Sequence, residues 1–234
     1  MSVGEWFNRF IDLFFPCCCV GCARPMVEGE RYVCAACLFH LPETNYHLDD
    51  RNEAALSLGG QFPLGFIVCF LLFEDRSVVQ QIIHHFKYLG MHGLGRDFGV
   101  KYGKILRDSA HQVCEADFLI PVPMQPNKLR RRGYNQSLIF AQGLAEQLIL
   151  PVLPTGLIKI KNTTTQVGMA RKKRFENLAG VFKTNVEEES LVGKHVVLVD
   201  DVLTSGATII RCSEALVAAG VARISVVTLA RKRN

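Results

Sequence analysis

The fifteen residues Lys194–Thr208 (KHVVLVDDVLTSGAT) constrain the architecture of this chain more than any other stretch. Four consecutive apolar residues, Val196 to Val199, suit a strand buried on both faces, which calls for a parallel sheet with helices on either side. Asp200 and Asp201 stand where that strand is predicted to end, and Thr204, Ser205, Gly206, Ala207 and Thr208 then open a helix. In parallel α/β sheets, ligands sit at the carboxyl ends of the strands. The start of the next helix offers unpaired backbone N–H groups and the positive end of a dipole, both suited to a phosphate. Gly206 lets the backbone come close to that anion, and the hydroxyls add donors. A capping Ser or Thr would account for a strand–turn–helix alone. It would not account for two adjacent acids, which are costly to desolvate without partners. Carboxylates repel phosphate, so their task is to accept hydrogen bonds from sugar hydroxyls, directly or through magnesium. A phosphate cradle beside a hydroxyl clamp describes a ribose 5-phosphate site.

The rest of the chain fits such a sheet. Apolar Leu64–Phe73 (LGFIVCFLLF) is half the ~20 residues a membrane-spanning helix needs and predicts a buried strand. Val78, Val79, Ile82, Ile83 and Phe86 share one face of a helix over Ser77–Leu89, with Gly90 able to cap it. A strand over Asp117–Val122, a basic loop, a helix near Gln136–Leu148, a helix over Ala207–Ala219 and a last strand, Ile224–Leu229, complete the alternation. The expected class is α/β, a mostly parallel sheet flanked by helices. Near the start, Trp6, Phe7, Phe10, Ile11, Phe14 and Phe15 predict a helical face ended by Pro16, and polar Asp49–Gly60 reads as a linker. Two units follow: residues 1–50 and residues 61–234. The first residues lack a basic start followed by an apolar run, so a cytoplasmic protein without membrane insertion is expected.

Charge is divided unequally. The chain is +5 overall, but residues 1–60 hold four Lys/Arg against eight Asp/Glu, a balance of −4 that leaves +9 on the remainder. That imbalance points the larger unit toward phosphates or nucleic acid. One basic cluster is Lys128, Arg130, Arg131, Arg132, followed by Gly133-Tyr134-Asn135-Gln136. Placed between a strand and a helix, it offers amides to cup a pyrophosphate. A second runs from Thr163 to Arg174, polar and strongly basic, and reads as a flap closing over an anion. Arg231-Lys232-Arg233 reads as a solvated tail.

Six of nine cysteines lie between Cys17 and Cys37, a metal-site pattern. Cys19-x2-Cys22, eleven intervening residues and Cys34-x2-Cys37 make two knuckles able to complete a tetrahedral, closed and therefore structural zinc site. Cys17 or Cys18 could replace Cys19, and His40 and His47 are weaker alternates. Cys69, Cys114 and Cys212 read as buried thiols.

Lys194–Thr208 resembles the phosphoribosyl pyrophosphate (PRPP) motif of type I phosphoribosyltransferases. The succession PVP…LRRRGYNQS, NTTTQ…R…R…N…GVF and VVLVDDVLTSGAT, with His85-Phe86-Lys87-Tyr88-Leu89-Gly90 and Pro16-x-x-Cys-x-x-Cys, resembles the ComF family of competence-associated proteins. The resemblance implies the type I phosphoribosyltransferase fold with a small N-terminal four-cysteine zinc module. It puts the ribose 2′- and 3′-hydroxyls on Asp200 and Asp201 and the 5′-phosphate in Thr204–Thr208. Arg132-Gly133 would lie in a pyrophosphate loop and Thr165, Gln166 and Arg171 in a flexible loop. Asp200, Asp201 and Arg171 would form the catalytic set, with Mg²⁺ accompanying PRPP. The register favours Cys19 as the first zinc ligand. A role in DNA uptake during transformation, contact with that machinery, single-stranded DNA binding and a homodimer are expectations of the same kind. A metabolic transferase acting on a nucleobase or amine, and a non-catalytic PRPP sensor, compete with that role.

Overall fold

The computed structural model describes residues 17–59, 62–160, 180–185 and 191–233. Its strands, in chain order, are β1 (Ile67–Phe73), β2 (Phe118–Pro121), β3 (Leu157–Lys159), β4 (Phe182–Thr184), β5 (His195–Leu203) and β6 (Arg223–Lys232). The helices are α1 (Ala35–Phe39), α2 (Glu53–Gly59), α3 (Val78–Tyr88), α4 (His92–Asp108), α5 (Pro126–Arg132), α6 (Gln136–Leu148) and α7 (Ala207–Ala218). The main sheet is parallel throughout, in the order β1-β6-β5-β2, and β3 pairs with β4 as a separate antiparallel ribbon.

Alternation along β5 divides the interior in two. Val197 and Val199 enter one apolar cluster with α3, α4 and α6, while Val196 and Leu198 enter the other with α2 and α7. Burying each such side chain is worth about 1.5–3 kcal/mol, so a central strand that is apolar on both faces is driven inside rather than to an edge. The helix at 207–218 and the one at 136–148 sit where the sequence pattern puts them. Ser77 caps α3 by accepting a hydrogen bond from the Gln80 amide at 3.2 Å.

The largest element without a sequence-level expectation is α4. Its four glycines, Gly93, Gly95, Gly99 and Gly103, each weaken a helix and so mask its pattern. Packing explains them. A methyl group on Gly99 would lie 2.4 Å from the Phe140 carbonyl oxygen, and one on Gly143 would lie 2.3 Å from that of Arg96. Helices α4 and α6 therefore cross backbone against backbone.

Several expectations change. Asp49–Gly60 holds a helix, not only a linker. Buried Asn52 starts it, accepting hydrogen bonds from the Ala54 and Ala55 amides at 3.0 Å while its own amide donates to the Ile67 carbonyl at 2.9 Å. Asn52 thus satisfies two free helix donors and a strand carbonyl at once. The C-terminal basic residues are no solvated tail. Arg231 pairs with Glu53 and donates to the Tyr46 hydroxyl, Lys232 pairs with Asp75, and Arg233 with Glu74. Strand β6 carries Arg231 and Lys232 beside β1, which puts these cations within reach of acids from earlier segments. Cys69 and Cys212 are buried as expected, but Cys114 is exposed because it falls on a surface 3-10 turn, Gln112–Glu115. The amphipathic segment 5–15 lies outside the described residues. No helix among the described residues is long and apolar enough to cross a membrane.

Gly99→Ala is expected to destabilise the fold by about 1–3 kcal/mol despite the better helix propensity of alanine. A urea midpoint that stays put or rises would show that the two helices can part without cost.

Candidate functional site

Strand β5 does not stop at Val199. Strand β2 covers it only through the pair Pro121–Val199, whereas β6 accompanies it from His195 to Leu203. Asp200 and Asp201 are therefore strand residues on an overhang, not residues after a strand end. The lost neighbour opens the space into which they face, and the remaining neighbour keeps the backbone extended.

Ser137, at the start of α6, donates its hydroxyl to Asp200 Oδ1 at 2.9 Å, and the Asp201 amide donates to the same oxygen at 2.9 Å. Burial, and then the charge of Asp201, nevertheless push the Asp200 carboxyl from its ordinary 3.8 up to about 7. Asp201 has a different partner: Lys87 Nζ, from the last turn of α3, lies 2.9 Å from its Oδ2. The native state holds a proton on Asp200 that the unfolded chain releases. The contribution of Asp200 to stability therefore falls as pH rises from about 4 to 7.

The turn that follows is fixed from below. Gly206 has a left-handed backbone, φ +75°, and a methyl group there would stand 2.0 Å from Leu58 of α2. No other residue type fits both demands. Helix α7 begins at Ala207, and the Ile210 amide donates to the Gly206 carbonyl at 3.0 Å. The amides of the first turn have no partner within a helix. Residues Thr204–Thr208 line a small cup next to Asp200, and Thr204 and Thr208 also face a larger cleft.

That cleft, about 560 Å³, joins the acidic pair to four cationic side chains: Lys87, Lys128, Arg132 and Lys159. The basic segment before Gly133 is a helix, α5, rather than a loop. Pro126 at its first turn and Gly133 at φ +81° beyond its last turn mark its ends. The Leu129 and Gly133 amides are spent on the Gln125 and Leu129 carbonyls. The segment thus offers side chains, not a cup of amides. Arg132 stacks on Tyr88 with 4.9 Å to the ring centre and donates to Gln136 Oε1 at 3.2 Å, and its buried Nε has no partner among the described residues. Burial, and next the charge of Lys128, lower the Lys159 pKa. Thr165, Gln166 and Arg171 lie outside the described residues.

Sequence reasoning gave no role to Lys87, Ser137 or Lys159. Lys87 stands beside a recognisable helical face, but nothing local says that its amine reaches a strand over a hundred residues later. Lys159 comes from a three-residue strand too short to carry a pattern.

At the other end of the chain, the Sγ atoms of Cys19, Cys22, Cys34 and Cys37 all lie within 4.8 Å of one another. Cys17, Cys18 and His40 are exposed and outside this group, and half-buried His47 is outside it too. The Cys34 and Gly21 amides point at Cys19 Sγ, at 3.2 and 3.4 Å. Burial opposes ionisation of Cys19, but these donors outweigh it and its pKa falls. The backbone and side chain of Arg24 bring Cys22 down to about 6, while burial raises Cys37. A set of four soft donors, partly poised as thiolates, fits a structural zinc. The knuckle packs on the start of α3, where a methyl group on Gly21 would lie 2.7 Å from Val78.

The phosphoribosyl transferase domain family matches residues 135–234. The chain is 34% identical over 152 residues to competence protein F of Haemophilus influenzae, covering 64% of this chain and 66% of that protein. It is 24% identical over 240 residues to the DNA utilization protein YhgH of Escherichia coli O157:H7, covering 94% and 99%. Competence protein ComFC of Bacillus subtilis is 27% identical over 172 residues, 69% and 65% of the two chains. Just under two thirds of the Haemophilus and Bacillus proteins is therefore spanned. The parallel sheet, the acidic pair on β5 and the glycine turn into α7 define a type I phosphoribosyltransferase fold, here with a four-cysteine cluster at its N-terminal side. Within that class, the chain is similar to competence proteins and DNA utilization proteins.

Asp201→Asn is expected to bring the Asp200 carboxyl below about 7, because it removes the neighbouring charge. Carboxyl NMR would read the change, and an unmoved midpoint would leave burial as the whole cause. Metal analysis of the purified protein is expected to return about one zinc per chain, with Cys34→Ser losing the metal and melting earlier.

Proposed function

We propose that the cleft binds PRPP and that the chain acts in DNA uptake. One observation carries the ligand: an acidic pair and two threonines of the glycine turn, Thr204 and Thr208, share a single cleft with Lys128, Arg132 and Lys159. In this reading the Thr204–Thr208 amides and hydroxyls take the 5′-phosphate. Asp200 and Asp201 accept from the ribose hydroxyls. The diphosphate points at the basic wall, where the unpartnered Nε of Arg132 has a donor to give. Mg²⁺ carried on the diphosphate would supply charge neutralisation for a leaving group. Arg171, with Thr165 and Gln166, completes the assignment as an element closing over the anion. The division into a zinc-bearing unit, residues 1–50, and a phosphoribosyltransferase-like unit, residues 61–234, belongs to the same reading.

The process comes from the names of the relatives, which speak of competence and DNA utilization. A physical feature that supports it is α5, where Arg130 and Arg131 are exposed beside Lys128, three of the four cations on one short helix. Single-stranded DNA is the nucleic acid such a ridge suits, through its phosphates and without base readout.

Calorimetric titration of PRPP with Mg²⁺ is expected to show binding to the wild type and none to Asp200→Asn/Asp201→Asn. Equal binding by both proteins would sink the site. For single-stranded DNA, Arg130→Ala/Arg131→Ala is expected to flatten the dependence of log K on log salt by about 0.7 per charge removed. An unchanged slope would move any DNA contact elsewhere.

A further inference from the structure

The two acids are held by different kinds of partner. Asp200 takes a hydroxyl and an amide, both neutral, whereas Asp201 takes an ammonium. The backbone that carries this ammonium is held at two carbonyls. The Tyr134 hydroxyl donates to the Phe86 carbonyl, and Gln136 Nε2 donates to the Lys87 carbonyl at 3.5 Å, so residues at the start of α6 clasp the last turn of α3. The side chains of Lys87 and Asp201 are 22% and 16% exposed, so this pair is shielded from water far more than an ordinary surface pair. Two of the other cations that line the cleft have other neighbours: Arg132 lies on Tyr88 and Gln136, and Lys159 on the Phe182 ring. Of these four cations, Lys87 alone makes a salt bridge to a described carboxylate of the cleft, and its ammonium sits directly on Oδ2 of Asp201.

A hydrated Mg²⁺ gives up its waters reluctantly and gains most where carboxylates are free. A tethered ammonium already on the carboxylate removes that gain. Sugar hydroxyls, which only need acceptors, can still use the lone pairs that Lys87 leaves over. Resting on the PRPP reading for the identity of the sugar, we propose that Lys87 is the resident counter-ion of the acidic pair. It excludes free divalent metal from Asp201, so that the pair recognises ribose hydroxyls without a metal bound to it.

Mn²⁺ alone, followed by electron paramagnetic resonance, tests the exclusion in the full-length zinc-loaded protein. Lys87→Met is expected to bind Mn²⁺ roughly tenfold or more tightly than the wild type, since an uncompensated acidic pair is then exposed. Lys87→Arg is expected to stay near the wild type, and Asp201→Asn in the Lys87→Met background to abolish the gain. Matching melting curves would show that the variants are folded. If Lys87→Met binds Mn²⁺ no better than the wild type, or if Lys87→Arg binds it as tightly as Lys87→Met, the exclusion role falls. Ribose 5-phosphate titrated without metal tests recognition separately. Binding by the wild type is expected, and binding only after Mg²⁺ is added would overturn the metal-free half of the proposal. No binding with or without Mg²⁺ would overturn the sugar-phosphate reading itself, while the Mn²⁺ result would still decide what Lys87 does.

Discussion

Past Val199, strand β5 loses one of its two neighbours. Its backbone stays extended because β6 continues to pair with it as far as Leu203, but the side once covered by β2 is open. Four residues, Asp200 to Leu203, project from the sheet as a ledge. Among the described residues, the candidate ligand contacts are arranged around that ledge: the acids on it, the glycine turn at its tip, and basic side chains across the gap. A shorter β5 would leave the acids in a loop without a fixed direction. A longer β2 would close the space they face.

Two close approaches hold the surroundings of the ledge in place. Helices α4 and α6 touch through Gly99 and Gly143, so α6 can bring Ser137 to Asp200 and Gln136 to the end of α3. On the opposite face of the sheet, α2 puts Leu58 directly beneath Gly206. The helix that replaces an expected linker therefore sets the floor of the glycine turn, and Arg231 ties its first residue, Glu53, to the last strand. Packing and site chemistry are coupled here by single atoms, since interiors at crystal-like density leave no slack for a shift.

Electrostatics then divides the labour within the cleft. Adjacent carboxylates cannot both be charged cheaply when buried. The structure meets this by raising Asp200 and by giving Asp201 an ammonium. The four-cysteine cluster lies on the same side of the sheet as α3 and shares its apolar cluster, with the knuckle at Gly21 seated on the first turn of that helix. The two ends of α3 thus meet the two chemically distinctive parts of the molecule, with Val78 at the cysteine knuckle and Lys87 at the acidic pair.

Much of this was legible locally. Val196–Val199 announces a doubly buried strand, Asp200-Asp201 and Thr204–Thr208 announce paired acids before a turn into a helix, and two Cys-x2-Cys pairs announce a four-thiol cluster, because each depends on neighbours a few residues away. The extent of β5, the helical state of α5 and the existence of α4 were not legible. Strand length is set by which neighbour continues to pair, and Gly95, Gly99 and Gly103 look like helix breakers until a second helix needs their missing side chains. Nor could local pattern reveal that Lys87 meets Asp201, Ser137 meets Asp200 or Arg231 meets Glu53. These partners are separated by 50 residues or more, and only the crossing of helices over a parallel sheet brings them within hydrogen-bond reach. The sequence by itself determined which groups could hold a sugar phosphate and a metal; the tertiary structure decided which charge faces which, because those distances are fixed by packing rather than by order along the chain.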